Sequence, residues 1–114
     1  MELDRVVSTL SALAQETRLS VFRELIRSHA PESDAGGLPA GEIARRLGVS
    51  ASSLSFHLKE MQWNGLVNSR RNGRSVIYQA NIDAMQQLIG YLLEDCCGGA
   101  CEVSGWSQRE EKHS

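Results

Sequence analysis

A single glycine between two short apolar helical stripes, followed at once by an arginine-bearing Asn-Gly turn, constrains this chain more than any other feature. Ile43, Ala44 and Leu47 fall on one side of a short helix, and Gly48 stands where that helix stops. Ser50 is placed to cap a second helix that carries Leu54, Leu58 and Met61 and ends near Asn64-Gly65. Leu66 to Arg71 and Arg74 to Ala80 then read as two strands, with Asn72-Gly73 between them as a hairpin signal. Ala44 is small where the two helices cross. Leu47, Val49, Leu54 and Leu58 lock the second helix onto the body, which leaves its opposite face free to enter a DNA major groove.

The flanks extend this unit. Leu3, Val6, Leu10 and Leu13 repeat at steps of three and four, the stripe of a first helix. A second helix starts near Glu16 and carries Leu19, Phe22, Leu25 and Ile26, and the stretch from Ala30 to Leu38 reads as a loop. Asn81 can cap a last helix with Ile82, Met85, Ile89 and Leu92 on one stripe, ending at Gly98-Gly99. The order is ααααββα: a mainly α (α+β) chain with a winged helix-turn-helix. Residues 1–95 form the DNA-binding and dimerisation domain, and residues 96–114 a cysteine-bearing segment with a polar tail. The two terminal stripes (Leu3, Val6, Leu10, Leu13 and Ile82, Met85, Ile89, Leu92) are more apolar surface than one small core can bury, so a homodimer through the first and last helices is expected.

Length and charge agree with one DNA-binding domain. The chain has 114 residues and a net charge of −2. Between Ala40 and Ala80, however, six basic residues (Arg45, Arg46, Lys59, Arg70, Arg71, Arg74) face two acidic ones (Glu42, Glu60). That segment is +4, and the remainder is −6. A basic middle on an acidic body suits a DNA face. No apolar run approaches the roughly 18 residues of a membrane span, and the N-terminus carries no signal-peptide pattern, so a cytoplasmic location is expected. Neither a Gly-rich phosphate loop, nor paired catalytic carboxylates, nor a nucleophile–base pair stands out, which argues against an enzyme and against an organic cofactor.

With Leu54 at the centre of the buried stripe and about 100° per residue, Ser52, Phe56 and Lys59 point most directly outward, with Ser55 beside them. Ser50 and Ser53 lie at the start of the same helix. Small hydroxyls allow close approach and can bond bases or phosphates of double-stranded operator DNA. An outward Phe56 suits a thymine methyl or a deoxyribose; its alternative is packing on a neighbouring helix. His57 falls beside the buried stripe, where a hydrogen bond within the fold competes with DNA contact. Arg70, Arg71 and Arg74 flank the hairpin tip, where they can reach phosphates or the minor groove.

The chain resembles the ArsR/SmtB family of metal-responsive repressors. The resemblance is carried by Leu13-Ala14-Gln15-Glu16-Thr17-Arg18-Leu19, by Glu42-Ile43-Ala44, and by the run from Val49 through Ser50, Ser53 and His57 to Leu58. Gly65-Leu66-Val67 and Arg71-Asn72-Gly73-Arg74 continue it to Tyr78. It spans about residues 5–95 and implies a dimeric winged helix fold and repression of a resistance operon that an inducer relieves. The chain departs from the family's best-known arsenic repressors, which carry a Cys-x-Cys pattern near the start of the DNA-reading helix. It departs from the zinc-sensing members as well, because its last helix offers Asp83, Glu94 and Asp95 but no histidine. It is similar instead to arsenic-responsive members with a C-terminal vicinal cysteine pair and a third cysteine close by.

The three cysteines, Cys96, Cys97 and Cys101, are the only ones in the chain. In a reducing compartment such a cluster suits a metal site or reactive thiols better than a disulfide framework. As(III) and Sb(III) are soft trivalent centres that take three thiolates, and Gly98-Gly99-Ala100 can bend Cys101 back towards the pair. Zinc prefers four ligands, and only Glu102 and the remote His113 are on offer; cadmium or lead could accept three thiolates. Glu94, Asp95 and Glu102 should raise the thiol pKa values and slow adventitious oxidation. A thiol–disulfide redox switch on the same scaffold is the competing expectation.

Overall fold

The computed structural model describes residues 1–30 and 36–94. Five helices and three strands follow one another as α1 (Leu3–Leu13), α2 (Glu16–Arg27), β1 (Leu38–Pro39), α3 (Ala40–Leu47), α4 (Ala51–Trp63), β2 (Val67–Asn72), β3 (Ser75–Ala80) and α5 (Ile82–Leu92). Two compact units divide the chain, residues 2–81 and a second that begins at Ile82.

In the larger unit the helices close over an antiparallel sheet of order β1-β3-β2. Val6, Ala12, Val21, Phe22, Leu25, Ile43, Leu54, Leu58, Met61, Leu66 and Val67 are buried there. On α4 the buried set Leu54, Leu58 and Met61 is the stripe expected from the sequence. On α2 it is Val21, Phe22 and Leu25, whereas Leu19 and Ile26 are exposed. The stripe is therefore centred about one residue away from the expected one, because Val21 completes a tighter arc with Phe22 and Leu25 at 100° per residue.

The sheet has one strand more than the sequence predicts. Leu38, read as the end of a loop, and Pro39 after it pair with Tyr78 and Ile77 of β3. Two residues have no periodicity to read; the open edge of β3 recruits them by satisfying its unpaired backbone groups. Gly37 makes the approach possible. Its φ is 108°, and a Cβ there would lie 2.5 Å from the Tyr78 carbonyl oxygen, so any side chain would clash.

The wing also differs in detail. Asn72 pairs with Ser75, so the two-residue loop is Gly73-Arg74, one place later than the Asn72-Gly73 expected. Gly73, with φ 65°, takes the left-handed position that starts the loop, which leaves Asn72 free to remain in the strand. At the base of the hairpin, Asn81 donates from its backbone to Leu66 and from Nδ2 to the Gly65 carbonyl, 2.8 Å away.

In the second unit, Ala84 and Leu88 are the buried residues of α5. Ile82, Met85 and Ile89, the residues assigned to a dimer interface, are half-buried, and Leu92 is exposed. The matching assignment on α1 is corrected at one position. Val6 is only 3% exposed and belongs to the protomer's own core with Thr9 and Ala12, whereas its neighbour Val7 is 54% exposed. The outward apolar stripe of α1 is therefore Leu3, Val7 and Leu10, at i, i+4 and i+7, with Leu13 half-buried at its edge. Among the described residues no helix is long and apolar enough to cross a membrane.

Candidate nucleic-acid interface

The first turn of α4 is built by Ser50. Its side-chain oxygen accepts from the backbone N–H of Ser53 at 3.2 Å, and its φ and ψ are extended. One of the orphan amides at the helix start is satisfied in this way. Gly48, in the left-handed conformation, ends α3, and the backbone N–H of Val49 returns to the Ala44 carbonyl. The turn is tight for that reason, and it brings α4 onto the body with one face outward.

That face carries the expected residues. Ser52, Ser53, Ser55 and Lys59 are exposed, and Phe56 is 60% exposed instead of packing on a neighbouring helix. His57 turns towards the body: it is half-buried, with Nδ1 3.3 Å from a guanidinium nitrogen of Arg18. The ring of Phe56 stands edge-on to it, at 5.7 Å and 68°.

The hairpin brings a second set of side chains into the same unit. Arg71 and Arg74 are exposed at the tip, and Arg70, which alternates to the other face of β2, is half-buried. Gln62 Nε2 of α4 donates to Ser69 Oγ of β2 at 2.9 Å, tying α4 to the hairpin.

Arg45 and Arg46, two of the six cations that made the middle of the chain basic, are occupied within the fold. Both donate to Glu42, Arg46 at 2.8 Å, and Arg46 also reaches Glu24 of α2 at 3.3 Å. Hydrogen bonds from the two guanidinium groups hold the Glu42 carboxyl down at about 2, well below 4.5. Arg27 completes the group on Glu24 at 3.0 Å. Of the other four of those six cations, Arg70 is half-buried, and Lys59, Arg71 and Arg74 are exposed and form no ion pair among the described residues.

Sequence reasoning placed His57 beside the buried stripe with a hydrogen bond within the fold, as observed, but did not identify its partner, Arg18. Periodicity carries no signal for a contact between residues 39 positions apart. It also passed over Trp63, at the end of α4 and 88% exposed. Cys96, Cys97 and Cys101 lie outside the described residues. Among the described residues no three of His, Cys, Asp and Glu gather as a metal site.

A helix-turn-helix domain model matches residues 13–70. The chain is 30% identical over 94 residues to the HTH-type transcriptional regulator YgaV of Escherichia coli, covering 82% of this chain and 88% of that protein. It is also 30% identical over 83 residues to the nodulation protein NolR of Rhizobium meliloti, covering 73% of this chain and 62% of that protein, just under two thirds of its length. Among solved structures, an ArsR-like transcriptional regulator from Rhodococcus superposes with TM-score 0.69 at 27% identity, covering 96% of this chain and 90% of the other. A homodimeric winged helix-turn-helix DNA-binding domain from Mycobacterium bovis, described as a possible ArsR-family regulator, superposes with TM-score 0.64 at 25% identity, covering 80% and 78%.

Proposed function

Because the chain belongs to the ArsR/SmtB family of winged helix-turn-helix transcriptional regulators, we propose that it is a cytoplasmic, homodimeric repressor released from operator DNA by As(III) or Sb(III). The observation that carries the DNA reading is the outward face of α4, where Ser52, Ser55 and the exposed Phe56 stand in one unit with the free cations Arg71 and Arg74 of the wing. The helix reads base edges, and the wing neutralises phosphate. Lys59 adds charge at the far end of the face. Ser50 and Ser53, at the start of the helix, sit where backbone amides approach phosphate.

The dimer rests on α1 and α5. Leu3, Val7 and Leu10 expose one apolar stripe, and Ile82, Met85, Ile89 and Leu92 offer another. Two-fold pairing through these helices would set the two reading helices about 34 Å apart, one turn of DNA.

The inducer site is Cys96, Cys97 and Cys101. The chemistry of the donor set supports it: three thiolates within six residues, and no other cysteine in the chain, are the ligands a soft trivalent arsenic or antimony centre takes. Soft thiolates favour such centres over hard cations. The first of the three cysteines stands four positions beyond the end of α5 at Leu92, so drawing them together would act close to the end of a helix assigned to the dimer. Only about 1–3 kcal/mol of coupling is needed for a roughly 5- to 150-fold loss of affinity for DNA.

The test uses Cys96→Ser, Cys97→Ser and Cys101→Ser. Each variant is expected to bind operator DNA as the parent does and to stay bound when arsenite is added. Normal release by any one of them removes that residue from the ligand set, and normal release by all three rejects the site. Release of the parent by peroxide but not by arsenite would instead establish a thiol–disulfide switch, and release by cadmium, lead or zinc alone would change the inducer but not the scaffold.

A further inference from the structure

Arg18 belongs to the first turn of α2, but its side chain leaves that helix. Nε donates to the carbonyl of Ala12, 2.5 Å away in the last turn of α1. A terminal guanidinium nitrogen lies 3.3 Å from Nδ1 of His57 on α4. The backbone N–H of Arg18 is itself held by Gln15 Oε1 at 2.8 Å, the cap of α2. One half-buried side chain thus joins three helices of the same unit. The Ala12 carbonyl is among the last four of α1, which find no acceptor role inside their own helix, so Arg18 satisfies a group that α1 cannot.

The bond to His57 has a chemical consequence. A guanidinium can only donate. Nδ1 of His57 is therefore the acceptor, and the neutral ring carries its hydrogen on Nε2, which has no partner among the described residues. The same ring packs edge-on to Phe56, so whatever orients His57 also borders an exposed aromatic ring of that face.

We propose that Arg18 is a positioning residue for DNA reading: it fixes His57 as an Nε2–H donor and fastens the reading face of α4 to the end of α1. The proposal rests on the reading of α4 as the DNA-contacting helix. It gives α1, which carries the outward apolar stripe Leu3, Val7 and Leu10, a hydrogen-bonded link to α4 through the Arg18 side chain. Lysine cannot replace Arg18, because a point-like ammonium lacks the planar fork that serves two acceptors on different helices.

The experiment uses the full chain and a duplex selected by the parent protein from random sequence. Nitrogen-15 NMR reports the tautomer of His57, anisotropy titrations at several salt concentrations report affinity, and thermal melts report the fold. The parent is expected to hold the Nε2–H tautomer. Arg18→Lys and Arg18→Gln are expected to mix the tautomers and to bind roughly tenfold more weakly, the scale of one lost hydrogen bond to a charged group. Their salt dependence should be unchanged, because Arg18 is not a phosphate contact. His57→Asn, which keeps an acceptor near Nδ1 and removes the Nε2 donor, is expected to melt like the parent and bind weakly. An Nδ1–H tautomer in the parent overturns the proposal. So do folded Arg18 variants with full affinity, or a salt slope lower by about one, which would make Arg18 a phosphate contact. If both Arg18 variants unfold, a folded His57→Asn with full affinity overturns it. A parent that selects no duplex at all counts against the DNA-binding reading, and the tautomer alone then decides the link between Arg18 and His57.

Discussion

Ser50 caps α4 and Phe56 lies six positions on, near the middle of that helix, and their chemistry assigns one to stability and the other to the proposed recognition of DNA. Ser50 spends its oxygen on the Ser53 amide. Ser50→Ala should therefore cost about 1 kcal/mol of stability, measured by urea titration; an unchanged midpoint would mean that the cap contributes nothing. Phe56 is 60% exposed, so Phe56→Ala should leave the urea midpoint within about 0.5 kcal/mol of the parent but alter the preferred DNA sequence. Selection of the same duplexes by parent and variant would show that the ring reads nothing. Small outward hydroxyls at Ser52 and Ser55 belong to the same test. The sequence revealed these positions because helical geometry alone sends them away from Leu54, Leu58 and Met61.

At the scale of elements, the wing and the α2–α3 pair divide the positive charge. Arg71 and Arg74 flank the turn of the hairpin, and neither forms an ion pair among the described residues. Arg71→Ala or Arg74→Ala should weaken binding to every duplex and lower the slope of log K against log salt by about one each. A variant that shifts base preference at constant slope would transfer the wing from phosphate to base reading. Arg45 and Arg46, by contrast, both pair with Glu42 within α3, and Arg46 alone reaches across to Glu24 of α2. Glu42 is lowered from 4.5 to about 2 in the folded chain, so the unfolded chain takes up its proton first as the pH falls. The contribution of Glu42 is then complete above about 4.5 and is lost progressively as the pH drops through about 2. Glu42→Gln should therefore lower the melting temperature slightly near neutral pH and leave it equal to the parent's at the acid end of that window. A difference that persists there would assign the effect to packing instead of charge. Exposed pairs of this kind contribute little individually, and the role of this group is to fix how α3 sits on α2.

For the whole molecule, the exposed stripe of Leu3, Val7 and Leu10 and the exposed Leu92 are apolar surface that the protomer leaves in water. Sedimentation at micromolar concentration should give a dimer, and Leu10→Glu should give a monomer that binds DNA weakly while keeping its helical circular dichroism. A monomeric parent would reject the dimer altogether. What the sequence determined by itself was local: the helix stripes, the Gly48 turn, the Ser50 cap, the glycine-led hairpin and the three cysteines are all legible because each depends on a period or a neighbour a few residues away. What the tertiary structure decided was long-range. Leu38 and Pro39 became a strand because the edge of β3 was there to pair with them. Val6 went inward and Val7 outward because the body that α1 packs on fixed the rotation of the helix. Arg46 gained a second carboxylate because Glu24, far away in sequence, came within its reach, whereas the pairing of Arg45 with Glu42 is local. Arg18 met His57 only once α1, α2 and α4 had closed together. A hydrogen bond or an ion pair depends on distance in space, and the order of residues along the chain specifies that distance only through the fold.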